Sequence, residues 1–224
     1  MTNDVVKVWL AGPEAAALAD LDSLDEAERT RAARLAGHRK EAEWLASRAL
    51  RQHAGLDRGV PSSLSHAAGH AALVAGPVGC RVGVDLEAVK PREVLRLATL
   101  SFGPEEARQL ESLGPARAVQ HFHVLWTLKE ACAKALGLRL LAALRDCRFM
   151  LEGDHWHGHL PFGGAWDAAV WSPRPRLVLS AVVLEMQGGV EAWECRDWPG
   201  GSTGWPKLAS LGGGTPANRA TGQR

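Results

Sequence analysis

An α+β fold built from two similar lobes follows from three features of this 224-residue chain. Helical patterns are followed by strand patterns twice along its length, the order that produces segregated helices and antiparallel sheets rather than alternating βαβ units. Trp44, Ala49 and Gly55 recur as Trp126, Ala131 and Gly137, each 82 positions after its counterpart. From Gln187 onward glycine, proline, serine and threonine dominate, with runs at Gly200–Gly204 and Gly212–Gly214, leaving little apolar surface to offset the entropy of ordering. These features divide the chain into an N-terminal lobe (1–88), a C-terminal lobe (89–186) and a largely disordered tail (187–224). Within that tail Trp193, Trp198 and Trp205 are groups that would dock on the body.

Each element has a local reason. Val5 to Leu10 alternates as an opening strand. A helical region starts at Leu24-Asp25-Glu26-Ala27-Glu28 and runs to about His53, with a break at Gly37. Ala71 to Ala75 reads as a strand, Gly76-Pro77 as a turn and Cys80 to Glu87 as the returning strand of a hairpin. After Lys90-Pro91 three helices are predicted, over Glu93–Ala98, Pro104–Leu113 and Ala116–Leu136. Gly137 is placed to end the last of them in a left-handed conformation. Strands follow near Cys147–Leu151, Trp166–Trp171 and Leu177–Leu184.

Composition bounds the function. An apolar fraction of 46% is enough for a substantial core, and a net charge of +1 argues against a broad polyanion-binding surface. Cys80, Cys132, Cys147 and Cys195 form no Cys-x-x-Cys pair, and no signal-like apolar run follows Met1–Asp4. The expectation is a reduced cytoplasmic monomer with neither nucleic acid nor membrane as a partner.

Two stretches carry chemistry. In Val82-Gly83-Val84-Asp85-Leu86-Glu87, side chains two apart share a strand face, so Val82, Val84 and Leu86 make a buried row and Asp85 and Glu87 point together to the other side. In Trp126-Thr127-Leu128-Lys129-Glu130-Ala131-Cys132-Ala133-Lys134, residues four apart stack, aligning Trp126, Glu130 and Lys134. Val124, Leu125, Leu128, Ala131, Cys132 and Ala135 face inward. Three oxygen ligands from Asp85, Glu87 and Glu130 suit Mg²⁺ or Mn²⁺ rather than zinc. Without a cation such carboxylates raise one another's pKa.

The two stretches, in this order and separation, resemble the 4′-phosphopantetheinyl transferases of the two-lobed, surfactin-synthetase-activating type. Hallmarks of that family are a Gly-(Val/Ile)-Asp-(Leu/Ile/Val)-Glu strand and a later Trp-(Ser/Thr)-x-Lys-Glu-(Ala/Ser)-x-x-Lys helix. The resemblance extends to Leu64-Ser65-His66, where the family carries a Ser-His pair. It implies a pseudo-dimer of two lobes with coenzyme A between them. It also implies magnesium on Asp85, Glu87 and Glu130, with Mn²⁺ as a substitute, and transfer of the phosphopantetheine arm to a serine of an apo acyl or peptidyl carrier protein. Glu130 would be the base and Lys134 a balancing cation or acid. Ser65, His66, Arg31, Arg51 and Lys134 would meet coenzyme A, the arginines at its 3′-phosphate, and Lys129 is the motif lysine without a derived role.

The chain departs from the pattern between Gly55 and Pro61, where the family's Gly-Lys-Pro is absent and Arg58 is the available cation. Ser63-Leu64-Ser65-His66-Ala67 stands where the family has Asn-(Leu/Ile)-Ser-His-Ser. Two other readings stay open. A metal-dependent nuclease would also use Asp-x-Glu with a further Glu, although a basic aromatic-lined surface is missing. A degenerate relative would bind nucleotide or carrier without catalysis. His155, His157 and His159 alternate in Asp154–His159, where flanking glycines predict an exposed hairpin rather than a metal site.

Overall fold

The structure, a computed structural model, describes residues 5–38, 40–57, 59–186, 188–200 and 204–213. Strand β1 (Val5–Ala11) leads through a short 3-10 turn to helices α1 (Glu26–Leu35) and α2 (Glu41–Ala54). Strands β2 (Ser62–Ala67), β3 (His70–Ala75) and β4 (Arg81–Ala88) follow. Next come α3 (Val94–Ser101), α4 (Pro104–Glu111), α5 (Pro115–Leu136) and α6 (Leu140–Asp146). The chain continues through β5 (Arg148–Glu152), β6 (His155–His159), β7 (Trp166–Trp171), β8 (Leu177–Leu184), β9 (Ala192–Trp198) and β10 (Lys207–Gly213).

Two four-stranded sheets carry the fold, ordered β2-β3-β1-β9 and β10-β7-β8-β4. Each contains the same three-strand unit. The lobe's first strand, β1 or β4, lies antiparallel to the second strand of a hairpin, β3 or β8, whose first strand lies outside it. The sequence echo has a structural counterpart, because Gly55 and Gly137 end α2 and α5 with φ of 53° and 68°, a conformation glycine adopts without cost. The mixed α+β class is therefore as expected.

The layers run helix, sheet, sheet, helix. Trp9, Ala11, Leu73 and Ala75 pack under Ala46 and Leu50 of α2. Val6, Val8 and Leu10 of β1 meet Val84, Leu86, Leu179 and Val183 of the second sheet. Leu125, Leu128 and Cys132 of α5 pack beneath Val170, Val178 and Val182. Fully burying one such side chain contributes about 1.5–3 kcal/mol, so the inter-sheet layer binds the lobes into one body. No helix among the described residues is long and apolar enough to cross a membrane.

Three expectations need correction. The hairpin predicted from Ala71 to Glu87 does not form. Strand β3 instead turns back on β2 through Ala68 and Gly69, both with positive φ, as a type I′ turn requires, while β4 crosses to the second sheet. The signal was hidden because Ser62–Ala67 is poor in β-formers and Ala-Gly is not a usual turn pair. Second, the lobes are not contiguous: β4, from the 1–88 segment, belongs to the second sheet, and β9 to the first.

Third, the disorder expected from Gln187 does not hold for the described part of that segment. Strand β9 runs parallel to β1, from Val5 opposite Ala192 to Ala11 opposite Trp198, and β10 pairs with β7. Averaged composition masked two strand-forming stretches anchored by tryptophans. Trp193 and Trp205 pack edge-on against Trp171, and Trp198 stacks on His53. Gln187, residues 201–203 and residues 214–224 lie outside the described residues, as do Arg39 and Arg58.

Candidate active site

Strand β4 and helix α5 press together at Gly83. A Cβ added there would lie 1.9 Å from the Ala131 carbonyl oxygen, a distance no side chain tolerates, so glycine sets how close the strand comes to the helix. The approach brings Asp85 and Glu87 to Glu130 and Lys134. The Val82, Val84 and Leu86 row is buried between the sheets. Asp85, on the opposite side, is buried as well, at 3% exposure, because α5 covers it.

Asp85 is the centre of the cluster. Lys134 Nζ donates to its Oδ1 over 2.9 Å and to the Val84 carbonyl over 2.7 Å. Ser65 Oγ donates to the same Oδ1 over 2.8 Å. Its other oxygen, Oδ2, is buried with no N–H or hydroxyl donor, and a hydrogen bond from the Glu130 carboxyl to Asp85 exists only while Glu130 keeps its proton. Burial first, and then the charge of Asp85, push the Glu130 carboxyl up to about 7, against the opposing pull of Lys134. Glu87 is also raised, by burial and by Asp85, although Arg92 Nη2 stands 3.8 Å from it. Lys90 adds a weaker pull on Glu87, yet Glu130 and Glu87 both stay raised beside Lys134, Arg92 and Lys90.

These residues fit a hard divalent ion by donor chemistry: all are carboxylates, one oxygen is buried without an N–H or hydroxyl donor, and Glu87 and Glu130 remain raised despite the cations around them. Among the described residues no three His, Cys, Asp or Glu side chains stand close enough, as they are, to enclose a metal. Lys134 occupies Asp85 Oδ1 in their place.

The remaining candidates are placed less centrally. His66 is half-buried, its Nδ1 3.4 Å from Glu43 Oε1 and without a well-formed hydrogen bond. Burial lowers its pKa, and nearby Arg31 and Lys40 lower it further while Glu43 opposes them, so the ring is neutral near pH 7 rather than cationic. Arg31 is exposed on α1. Arg51 is exposed and 3.7 Å from Glu28, which also pairs with Arg48 at 2.5 Å. His155, His157 and His159 lie on the outer face of the β5–β6 hairpin, as expected. A cavity of about 470 Å³ opens just past Glu87, with His70, Lys90, Arg174 and Arg176 among its lining.

Lys129 has a role that sequence did not reveal. Its side chain is completely buried, and Nζ donates to Glu106 Oε2 over 2.9 Å, to the Leu144 carbonyl over 2.8 Å and to the Cys147 carbonyl. Glu106 in turn accepts from the Gly103 and Phe149 amides. Burial pulls the Lys129 pKa down and Glu106 opposes that. The pair ties α4, α6 and β5 to the helix bearing Glu130. Glu106 was legible only as a carboxylate in the first turn after Gly103-Pro104, a capping signal.

The fold and this cluster define an α+β protein with a carboxylate-rich site between a strand and a helix of its second sheet. Residues 81–162, which hold that strand and helix, match the 4′-phosphopantetheinyl transferase superfamily. AcpT of Escherichia coli, a 4′-phosphopantetheinyl transferase, is 32% identical over 119 residues, 45% of this chain and 60% of its own. A Synechocystis protein described by the same activity is 41% identical over 66 residues, 29% of this chain and 27% of its own. The chain thus spans from about a quarter to three-fifths of these relatives. A holo-(acyl-carrier-protein) synthase from Bacillus anthracis, in complex with coenzyme A (3′,5′-ADP), overlaps with a TM-score of 0.38 and 16% identity, over 46% of this chain and 94% of its own. The synthase of Thermotoga maritima gives 0.36 and 25%, over 46% and 62%.

Proposed function

We propose that this chain is a 4′-phosphopantetheinyl transferase of the two-lobed type. It would transfer the phosphopantetheine arm of coenzyme A to a serine of an apo acyl or peptidyl carrier protein and release 3′,5′-ADP. Polyketide or nonribosomal peptide synthesis is the proposed setting, and a cytoplasmic monomer the proposed form. The observation that carries the reading is the under-compensated cluster of Asp85, Glu87 and Glu130 beside Lys134, within the segment that matches the superfamily.

The residues divide the work. Asp85, Glu87 and Glu130 would hold magnesium, which supplies charge neutralisation at a pyrophosphate and its leaving oxygen. Glu130, directly or through a metal-bound water, would accept the serine proton as the hydroxyl attacks the β-phosphorus and the bond to 3′,5′-ADP breaks. Lys134 spends two of its three N–H donors on Val84 and Asp85, leaving one for a phosphate oxygen.

Incubation with coenzyme A, Mg²⁺ and a panel of apo carrier proteins, read by intact mass, tests the proposal. The phosphopantetheine increment should require Mg²⁺ and disappear with Glu130→Gln. Coenzyme A binding without an increment on any carrier would favour a noncatalytic relative, the reading that the altered Gly55–Pro61 linker would serve.

A further inference from the structure

At one corner of the two-sheet body, β2 of the first sheet lies beside β4 of the second without a backbone ladder between them. The outward edge of β4 still has polar groups to satisfy, since an unpaired buried amide costs about 1–3 kcal/mol. Side chains complete it. Ser63 Oγ accepts from the Val84 amide over 3.2 Å, Ser65 Oγ accepts from the Leu86 amide over 3.3 Å, and Lys134 donates to the Val84 carbonyl. The two serines, alternate residues on β2, match the alternate amides of β4.

Ser65 does more than close the seam. It is 8% exposed, and a hydroxyl has one proton to donate. That proton goes to Asp85 Oδ1, and the hydroxyl also accepts from Leu86. A phosphate oxygen, which only accepts, therefore has no donor left at Ser65. With Oδ1 held by Ser65 and Lys134, Oδ2 is the Asp85 oxygen left for a ligand once Glu130 gives up its proton, and it meets no N–H or hydroxyl donor.

We propose that Ser65 is a positioning residue for Asp85 rather than a contact for coenzyme A. It fixes the carboxylate through Oδ1 and reserves Oδ2 as a one-oxygen ligand for the divalent ion, while Ser63 serves only the seam. The inference rests on the metal reading given under Proposed function. Hydrogen bonds that orient a ligating carboxylate change metal affinity when removed, by about 10–100-fold, and a residue that merely holds two strands together does not.

The test titrates Mn²⁺ into the full chain without coenzyme A and counts free Mn²⁺ by electron paramagnetic resonance. Metal-free coenzyme A binding, in EDTA, is followed by calorimetry. Ser65→Ala should weaken Mn²⁺ binding by at least ~10-fold with coenzyme A affinity in EDTA within about twofold. Ser65→Thr, which keeps the hydroxyl, should restore it. Ser63→Ala should lower the melting temperature as Ser65→Ala does, with Mn²⁺ affinity unchanged. If Ser65→Ala does not fold, Ser65→Cys, a poor donor of similar size, replaces it.

Unchanged Mn²⁺ affinity in Ser65→Ala, or equal losses in both alanine variants, would overturn the positioning role. Loss of metal-free coenzyme A binding in Ser65→Ala would return Ser65 to the phosphate. A wild type that binds no Mn²⁺ would overturn the metal reading itself and the inference with it.

Discussion

Neighbouring residues of α5 take part in two lysine–carboxylate arrangements that differ in how completely they are satisfied. Lys129 and Glu106 are both almost fully buried, at 0% and 2% side-chain exposure, and each charged atom has partners. Glu130 sits with Asp85 and Glu87, where three carboxylates crowd together, Asp85 Oδ2 meets no N–H or hydroxyl donor, and the pKa of Glu130 reaches about 7 despite nearby cations. A saturated buried pair has nothing left with which to bind and serves architecture. An unsaturated one stores electrostatic free energy that a ligand can release, which is why strongly perturbed groups mark sites.

The largest expected effect breaks the saturated side. Lys129→Met leaves Glu106 buried and unpaired and should cost about 3–5 kcal/mol, read from urea unfolding. Adding Glu106→Gln should recover part of that loss. A single-variant cost near zero would erase the distinction between the two arrangements.

Glu130→Gln tests the other side. Transfer to a carrier protein should fall by about 10²–10⁴ in kcat, without loss of stability at pH 8, because a repelled charge has been removed. A fall in activity matched by unfolding would make Glu130 structural instead.

Gly83→Ala sets the two regions against each other mechanically. Its Cβ would overlap the Ala131 carbonyl, forcing β4 from α5 at a cost of about 1–3 kcal/mol. Chemical denaturation gives the cost, and activity should fall as Asp85 moves away from Glu130. An unchanged midpoint with full activity would show that the strand–helix contact yields freely.

A pH dependence sharpens the comparison further. Glu130 has a folded pKa of about 7 against 4.5 unfolded, so the folded state binds the proton more tightly. Its contribution to stability is full below pH 4.5 and is lost as pH rises through 7. The loss should be on the order of 2 kcal/mol, visible as a falling denaturation midpoint that Glu130→Gln flattens. The smallest effect belongs to the exposed Arg96–Glu93 pair at 3.2 Å: Arg96→Ala should change stability by less than ~0.5 kcal/mol in the same assay.

Much of the cluster was legible because period alone places Asp85 with Glu87 and Glu130 with Lys134, and a 22-residue helix keeps that register. The helices up to α5 were legible too, punctuated by Gly37, Pro104 and Gly137, whereas the short α6 (Leu140–Asp146) was not. What escaped was long-range. Nothing local in Ser63-Leu64-Ser65 announces that its hydroxyls will replace a ladder, nor that Glu106 will find Lys129, 23 residues on. Strands β9 and β10 escaped because glycine-rich surroundings outweighed their short apolar runs. Their order comes from tertiary pairing rather than local propensity.

The parallel pairing of β1 with β9 carries a consequence for biosynthesis. Residues 5–11 emerge from the ribosome nearly two hundred residues before the strand that covers their outer edge. During that interval β1 offers an open, apolar edge, the kind that recruits foreign strands. The first sheet, begun first, is therefore completed only by β9, shortly before β10 completes the second. A stop shortly after Leu184 would trim more than a tail, because it would leave that edge bare for the life of the molecule.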